Sequence, residues 1–114
     1  MRVALNLTIE REWFDKIASG EKREEYRGCD NRQCVRLYDE VLRDGIVPDD
    51  LLAVFRNGYR MDSRALAVEL VGMGVRRRGG THPEWGEPSR RHFVLDLGKV
   101  MARGTYAEVK GGVG

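Results

Sequence analysis

The chain has 114 residues, of which 41% are hydrophobic and 33% charged, with a formal net charge of +2. That length points to one domain with one core that needs no staples, and the balance is too apolar for a disordered chain and too polar for a membrane protein. No apolar run approaches the ~18 residues that span a bilayer, and no charged-then-apolar leader opens the chain, so a cytoplasmic protein with no membrane contact is expected.

Residues 2–9 alternate in polarity and read as a strand. Residues 10–19 read as a short helix with one apolar stripe, Trp13, Phe14, Ile17 and Ala18, of which Trp13 and Phe14 are assigned to the core. Thr8 or its neighbour is placed to cap it, Glu10 and Glu12 suit its positive end, and Gly20 falls where a left-handed residue ends a helix. Residues 23–27 read as a polar strand. Asp30-Asn31-Arg32-Gln33 resembles a capping box opening a helix to about Asp44, with Val35, Tyr38, Val41 and Leu42 as its apolar stripe, Cys34 and Leu37 beside it, and Gly45 closing it. Pro48-Asp49-Asp50 reads as a turn.

Residues 51–56 form an apolar run, expected as a strand buried on both sides. Asn57-Gly58 is a hairpin signal of the type I′ kind, followed by either an irregular loop or an early return strand over 59–64. Residues 65–75 read as a strand in which Gly72 and Gly74 mark bulges or a bend. Residues 76–91 form the one long irregular stretch, and a loop of that length in a small domain usually serves function. Residues 92–97 give a last buried strand closed by Gly98, and the Gly-rich end over 105–114 is expected to fray, leaving one domain over 1–104. The order β-α-β-α-β-β-β predicts an α+β domain: a small mixed β-barrel with two flanking helices, closed so that no sheet edge is left bare.

Cys29 and Cys34 have the wrong spacing for a redox or zinc half-site and read as reduced thiols; no metal-ligand spacing is present, and neither metal nor cofactor is expected. Between residues 76 and 103 the bases are Arg76, Arg77, Arg78, Arg90, Arg91, Lys99 and Arg103 against only Glu84, Glu87 and Asp96. The arginines flanking the long loop are placed to follow a phosphate backbone. His92, ahead of a buried strand, reads as structural; His82, in the loop, has no partner in sequence.

The helix that ends at Gly20 runs into Glu21-Lys22-Arg23-Glu24-Glu25-Tyr26-Arg27. Gly20, Lys22 and Arg27 form the pattern G-x-K-x-x-x-x-R, which resembles the signature of ASCH domains. Phe55-Arg56-Asn57-Gly58-Tyr59, Glu84-Trp85-Gly86 and Phe93-Val94-Leu95-Asp96-Leu97-Gly98 resemble later pieces of the small bacterial and phage branch, so the similarity covers most of residues 3–100. The resemblance implies a PUA-like barrel with a cleft lined by Lys22 and Arg27. Roles proposed for the family are RNA binding, ribonuclease activity and, in some members, removal of the acetyl group of N4-acetylcytidine. In those amidohydrolases the lysine is followed three positions later by a catalytic threonine; here that position is Glu25. Glu69 is the candidate for their further catalytic glutamate.

On an extended strand Glu25 and Arg27 share a face, and the turn at Gly20 delivers Lys22 beside them. Lys22 with a lowered pKa serves as base or nucleophile, Glu25 as its partner or as general base, and Arg27 as a planar fork for phosphate or a base edge. Tyr26, Tyr59 and Trp85 are candidate stacking platforms for unpaired bases, and Arg56, Arg76, Arg77 and Arg78 candidate ligand contacts. The expected partner is RNA, another single strand or a modified nucleoside. The alternatives are a small hydrolase acting on N4-acetylcytidine or RNA phosphodiesters, with Lys22 and Glu25 catalytic, and a scaffold for an unknown protein partner.

Overall fold

The computed structural model describes residues 1–44 and 49–113. In chain order the elements are β1 (Arg2–Thr8), α1 (Arg11–Ala18), β2 (Glu24–Gly28), α2 (Arg32–Asp44), β3 (Leu51–Arg56), β4 (Arg64–Arg76), a 3-10 turn (Pro83–Trp85), β5 (His92–Thr105) and α3 (Tyr106–Val113). The fold is α+β. One five-stranded mixed sheet runs β1-β3-β4-β5-β2, with β1 and β3 parallel and the other pairs antiparallel. No helix among the described residues is long and apolar enough to cross a membrane.

The expected closed barrel is not what the strands make. β1 and β2 are the two edges of the sheet and share no ladder. Register shifts along β4 and β5, between Ala67 and Val68, Val68 and Leu70, and Leu70 and Gly72, bend these long strands. The two edges are joined by a side chain instead: Arg27 Nη2 on β2 donates to the Thr8 carbonyl on β1 at 2.9 Å. On the other flank of β1, the Asn6 N–H donates to Gln33 Oε1 at 2.8 Å and Gln33 Nε2 donates back to the Asn6 carbonyl at 2.8 Å. A side-chain amide thus stands in for a neighbouring strand.

β3 is buried on both faces. Leu51, Ala53 and Phe55 point into the main core with Leu5, Leu7, Phe14, Ile17, Leu66, Val68 and Leu95, while Leu52 and Val54 join Ala65, Ala67, Tyr106 and Val109. That second face corrects the expectation for the C-terminus. Residues 106–113 are helical, because Tyr106 and Val109 cover Leu52 and Val54, and Glu108 closes the helix start by accepting from the Thr105 backbone at 3.1 Å and its hydroxyl at 2.9 Å. Among the described residues, three helices accompany the sheet rather than two.

Other local expectations shift. α1 starts at Glu10 in extended conformation with no side-chain cap, so Thr8 does not cap it. α2 is capped by Asn31, whose Oδ1 accepts from the Cys34 N–H at 3.0 Å; Asp30 is not the cap, and Gln33 is occupied with β1. Its buried face is Cys34 and Leu37 with Tyr38 and Val41 packed beside them, whereas Val35 and Leu42 are exposed. Gly45 and Pro48 lie outside the described residues; Asp49 and Asp50 form a turn. Asn57-Gly58 is not a type I′ turn, since no residue other than glycine has positive φ, and residues 57–63 form an irregular loop. Gly98 does not end β5, which continues to Thr105; it lies where the two long strands slip in register, against Val71 and Glu69.

Candidate functional site

α1 ends with Gly20 at φ +82, a left-handed conformation that glycine adopts without strain. The Gly20 N–H donates to the Ile17 carbonyl at 3.0 Å and the Lys22 N–H to the Lys16 carbonyl at 3.0 Å. This reversal lays Lys22 beside β2, where it is 2% exposed. Its Nζ lies 3.2 Å from Glu25 Oε1, donates to the Trp85 carbonyl, and sits 4.8 Å and 4.7 Å from the ring centroids of Trp13 and Tyr26. Burial pulls its pKa below the ordinary lysine value, while Glu25 opposes that fall. Glu25, also buried, holds a second cation: Arg27 donates to Oε2 from Nε at 3.2 Å and from Nη2 at 2.8 Å. The carboxylate is therefore clamped between ammonium and guanidinium.

These groups form part of the lining of a cleft of about 380 Å³ with three walls. Thr8, Ile9, Glu10 and Trp13 come from the end of β1, its connection to α1 and α1 itself; Lys22 from the turn before β2 and residues 25–28 from β2; Trp85, Gly86, Pro88 and Arg90 from the long loop. The loop is anchored at several points. Lys16 Nζ donates to the Glu84 carbonyl at 3.2 Å, Gly86 lies against the Trp13 indole, and His82 stacks on Trp85 at 4.0 Å between centroids.

The strongest anchor is Glu87, whose side chain is 0% exposed. Its Oε1 accepts from the His82 backbone N–H at 2.8 Å, and its Oε2 accepts from Arg76 and lies 2.8 Å from His92 Nε2. His92 Nδ1 lies 2.6 Å from the Arg90 carbonyl. Both ring nitrogens of this fully buried histidine thus lie within hydrogen-bond distance of an oxygen. Burial pushes the Glu87 pKa up, but the bonds from Arg76, the His82 backbone and His92 outweigh it and bring it down to about 2. Arg76 also pairs with Glu24 at 3.3 Å, and Glu24 accepts from the Tyr26 hydroxyl at 2.9 Å. Burial first, then Glu24, pushes the Tyr26 phenol pKa up.

The cleft brings together Lys22, Glu25, Tyr26, Arg27 and Trp85. Tyr26 is no open platform: it is buried, with Lys22 over its ring and His92 edge-on at 5.4 Å. Arg56 lies outside the cleft lining, with its guanidinium 3.4 Å from the Tyr106 ring centroid. Tyr59 is exposed on the loop after β3. Arg76 serves the loop anchor, Arg77 and Arg78 are exposed at its start, and Glu69 Oε1 accepts the Lys99 N–H at 2.9 Å. Among the described residues no cluster of three metal-ligating side chains occurs.

Trp13, expected in the core, is half-buried: it packs against the main core and also walls the cleft. Glu87 and His92 were missed as an anchor. The readable signal was that Glu84 and Glu87 are the only acids in a loop bounded by arginines. His82 does find a partner, Glu84 Oε1 at 3.0 Å from Nδ1, and Glu84 is thereby held below the usual carboxylate range. Compared with known proteins, the chain matches no family model, no curated protein and no solved structure, so the reading of this site stands on its own geometry.

Proposed function

We propose that this chain is an ASCH-type, PUA-like domain that binds single-stranded nucleic acid, RNA foremost, through the cleft around Lys22 and Arg27. One observation carries the reading. A chain of ion pairs, buried Lys22 and Glu25 with the partly exposed Arg27, lines a cleft of about 380 Å³ that is also walled by Trp13 and Trp85, a volume and a chemistry suited to one unstacked base. The exposed Arg77, Arg78, Arg90 and Arg91 beside the loop supply phosphate contacts, and Arg90 itself lines the cleft. The curl of the sheet that brings Thr8 within reach of Arg27 supports the PUA-like reading of the fold.

The test is a fluorescence titration with a single-stranded RNA at two salt concentrations. Binding that weakens steeply with salt, and weakens further in Arg27→Ala and Arg90→Ala, is the expected result. Undetectable binding at low salt, or affinity untouched by both variants, removes the proposal.

A second reading is a hydrolase acting on N4-acetylcytidine or on phosphodiesters. It is favoured by the burial that lowers the Lys22 pKa beside a carboxylate. Against it, both oxygens of Glu25 are already taken by cations. Incubation of wild type and Lys22→Ala with N4-acetylcytidine, followed by chromatography, decides it: turnover by wild type alone establishes an enzyme.

A further inference from the structure

We propose that Tyr59 forms a second stacking subsite beside the cleft, and that the ligand is therefore a chain of at least two nucleotides rather than a free nucleoside. The proposal rests on the nucleic-acid reading of the cleft and deepens it.

Tyr59 is 86% exposed, the most exposed large hydrophobic side chain among the described residues. Single exposed aromatics are common on proteins. Two features set this one apart, the first being the construction of its loop. Arg56 Nε donates to the Gly58 carbonyl at 2.8 Å and Arg56 Nη2 to the Arg60 carbonyl at 2.9 Å, so one guanidinium ties down the residues on either side of Tyr59. The Asn57 N–H donates to the Arg64 carbonyl at 2.9 Å, the Arg60 N–H to Ser63 Oγ at 3.1 Å, and the Ala107 N–H of α3 to the Met61 carbonyl at 2.9 Å. Gly58 sits at φ +129, and a Cβ there would lie 2.7 Å from Ser63 Oγ, so the turn before Tyr59 is closed to other residues. A loop fixed at this many points holds its aromatic ring in water. Tyrosine on a rigid backbone loses little side-chain entropy on binding, which is why such residues serve as contact anchors.

The second feature is position. The Ile9 N–H donates to the Arg56 carbonyl at 2.9 Å, and Asn57 Nδ2 donates to the Ile9 carbonyl at 2.9 Å. Ile9 lines the cleft. The Tyr59 loop is therefore bonded directly to a residue of the cleft's β1–α1 wall, adjoining the site where the first base is proposed to lie. Arg60, 84% exposed and paired at 3.0 Å with the exposed Asp62, follows Tyr59 in the chain and would have to exchange that surface pair for a phosphate contact.

The experiment measures binding of a randomised 8-nucleotide RNA and of the four ribonucleoside monophosphates to wild type, Tyr59→Ala, Tyr59→Phe and Met61→Ala. Stacking by one ring contributes ~1–3 kcal/mol, so Tyr59→Ala is expected to weaken the 8-mer about 5- to 150-fold. Tyr59→Phe keeps most of the affinity, Met61→Ala on the same loop keeps all of it, and the monophosphates are unaffected by any of the three. An 8-mer affinity unchanged in Tyr59→Ala overturns the inference while leaving the cleft intact, as does an equal loss in Tyr59→Ala and Met61→Ala. Wild type that binds neither probe overturns the nucleic-acid reading itself, and the inference with it.

Discussion

Strands β3 and β2 are both short, and both place side chains out of water, yet they are held in opposite ways. β3 presents Leu51, Leu52, Ala53, Val54 and Phe55, each at most 2% exposed, to apolar neighbours on both faces. β2 brings Glu25 and Tyr26 out of water beside buried Lys22, and faces the fully buried His92 and the Glu87 side chain across β5 and the loop. Apolar burial stabilises directly, at ~25 cal/mol per Å². Buried ion pairs do not: desolvation offsets most of their Coulombic gain, and apolar replacements of similar volume are often as stable. The β2 side therefore carries more buried charge than folding requires, and that charge fixes the positions of Lys22, Arg27 and Trp85 around the cleft.

Phe55→Ala breaks the apolar side. It is expected to cost about 3–5 kcal/mol and more than about 10 °C in Tm, measured by thermal denaturation. Glu87→Gln attacks the charged side. It removes the carboxylate shared by Arg76 and His92, leaving Arg76 with Glu24 alone, and is expected to cost about 1–3 kcal/mol. Its distinguishing mark is a change in Trp85 environment, read by fluorescence, that Phe55→Ala does not give in the folded state.

Acid separates the two sides without mutation. Glu87 titrates near 2 when folded against an ordinary value of 4.5, so its stabilisation is complete above about pH 4.5 and is lost as the pH falls towards about 2. Denaturant midpoints measured across that range are expected to fall in wild type and to fall less in Glu87→Gln. Equal slopes in the two proteins would show that the loop anchor contributes nothing. The smallest effect belongs to Arg77→Ala with Arg78→Ala. Both are exposed, so stability is expected to stay within about 0.5 kcal/mol while RNA affinity falls.

The sequence announced the apolar side far better than the charged one. The run 51–55 is apolar throughout, and a doubly buried strand is its only economical reading. What it implied and what went unread is that Leu52 and Val54 need a cover, which the glycine-rich end supplies through Tyr106 and Val109. Gly20, Lys22, Glu25 and Arg27 were legible because a helix stop and strand alternation fix their geometry locally. The anchor of Arg76, Glu87 and His92 was not, because it joins the end of one strand, a loop and the start of another, and no period connects them. Barrel closure failed for a similar reason: strand count and order do not say whether the last gap is bridged by backbone or, as here, by the Arg27 guanidinium.

An open sheet carries a risk of polymerisation, since a bare edge invites the same strand of another copy. The Gln33 amide sits on both the N–H and the carbonyl of Asn6, at 2.8 Å each. A docking strand would have to displace it from the middle of β1 before any ladder could grow. One glutamine on α2 thus acts as a stopper against self-templating, and the chain keeps an open sheet without offering that edge to its own copies.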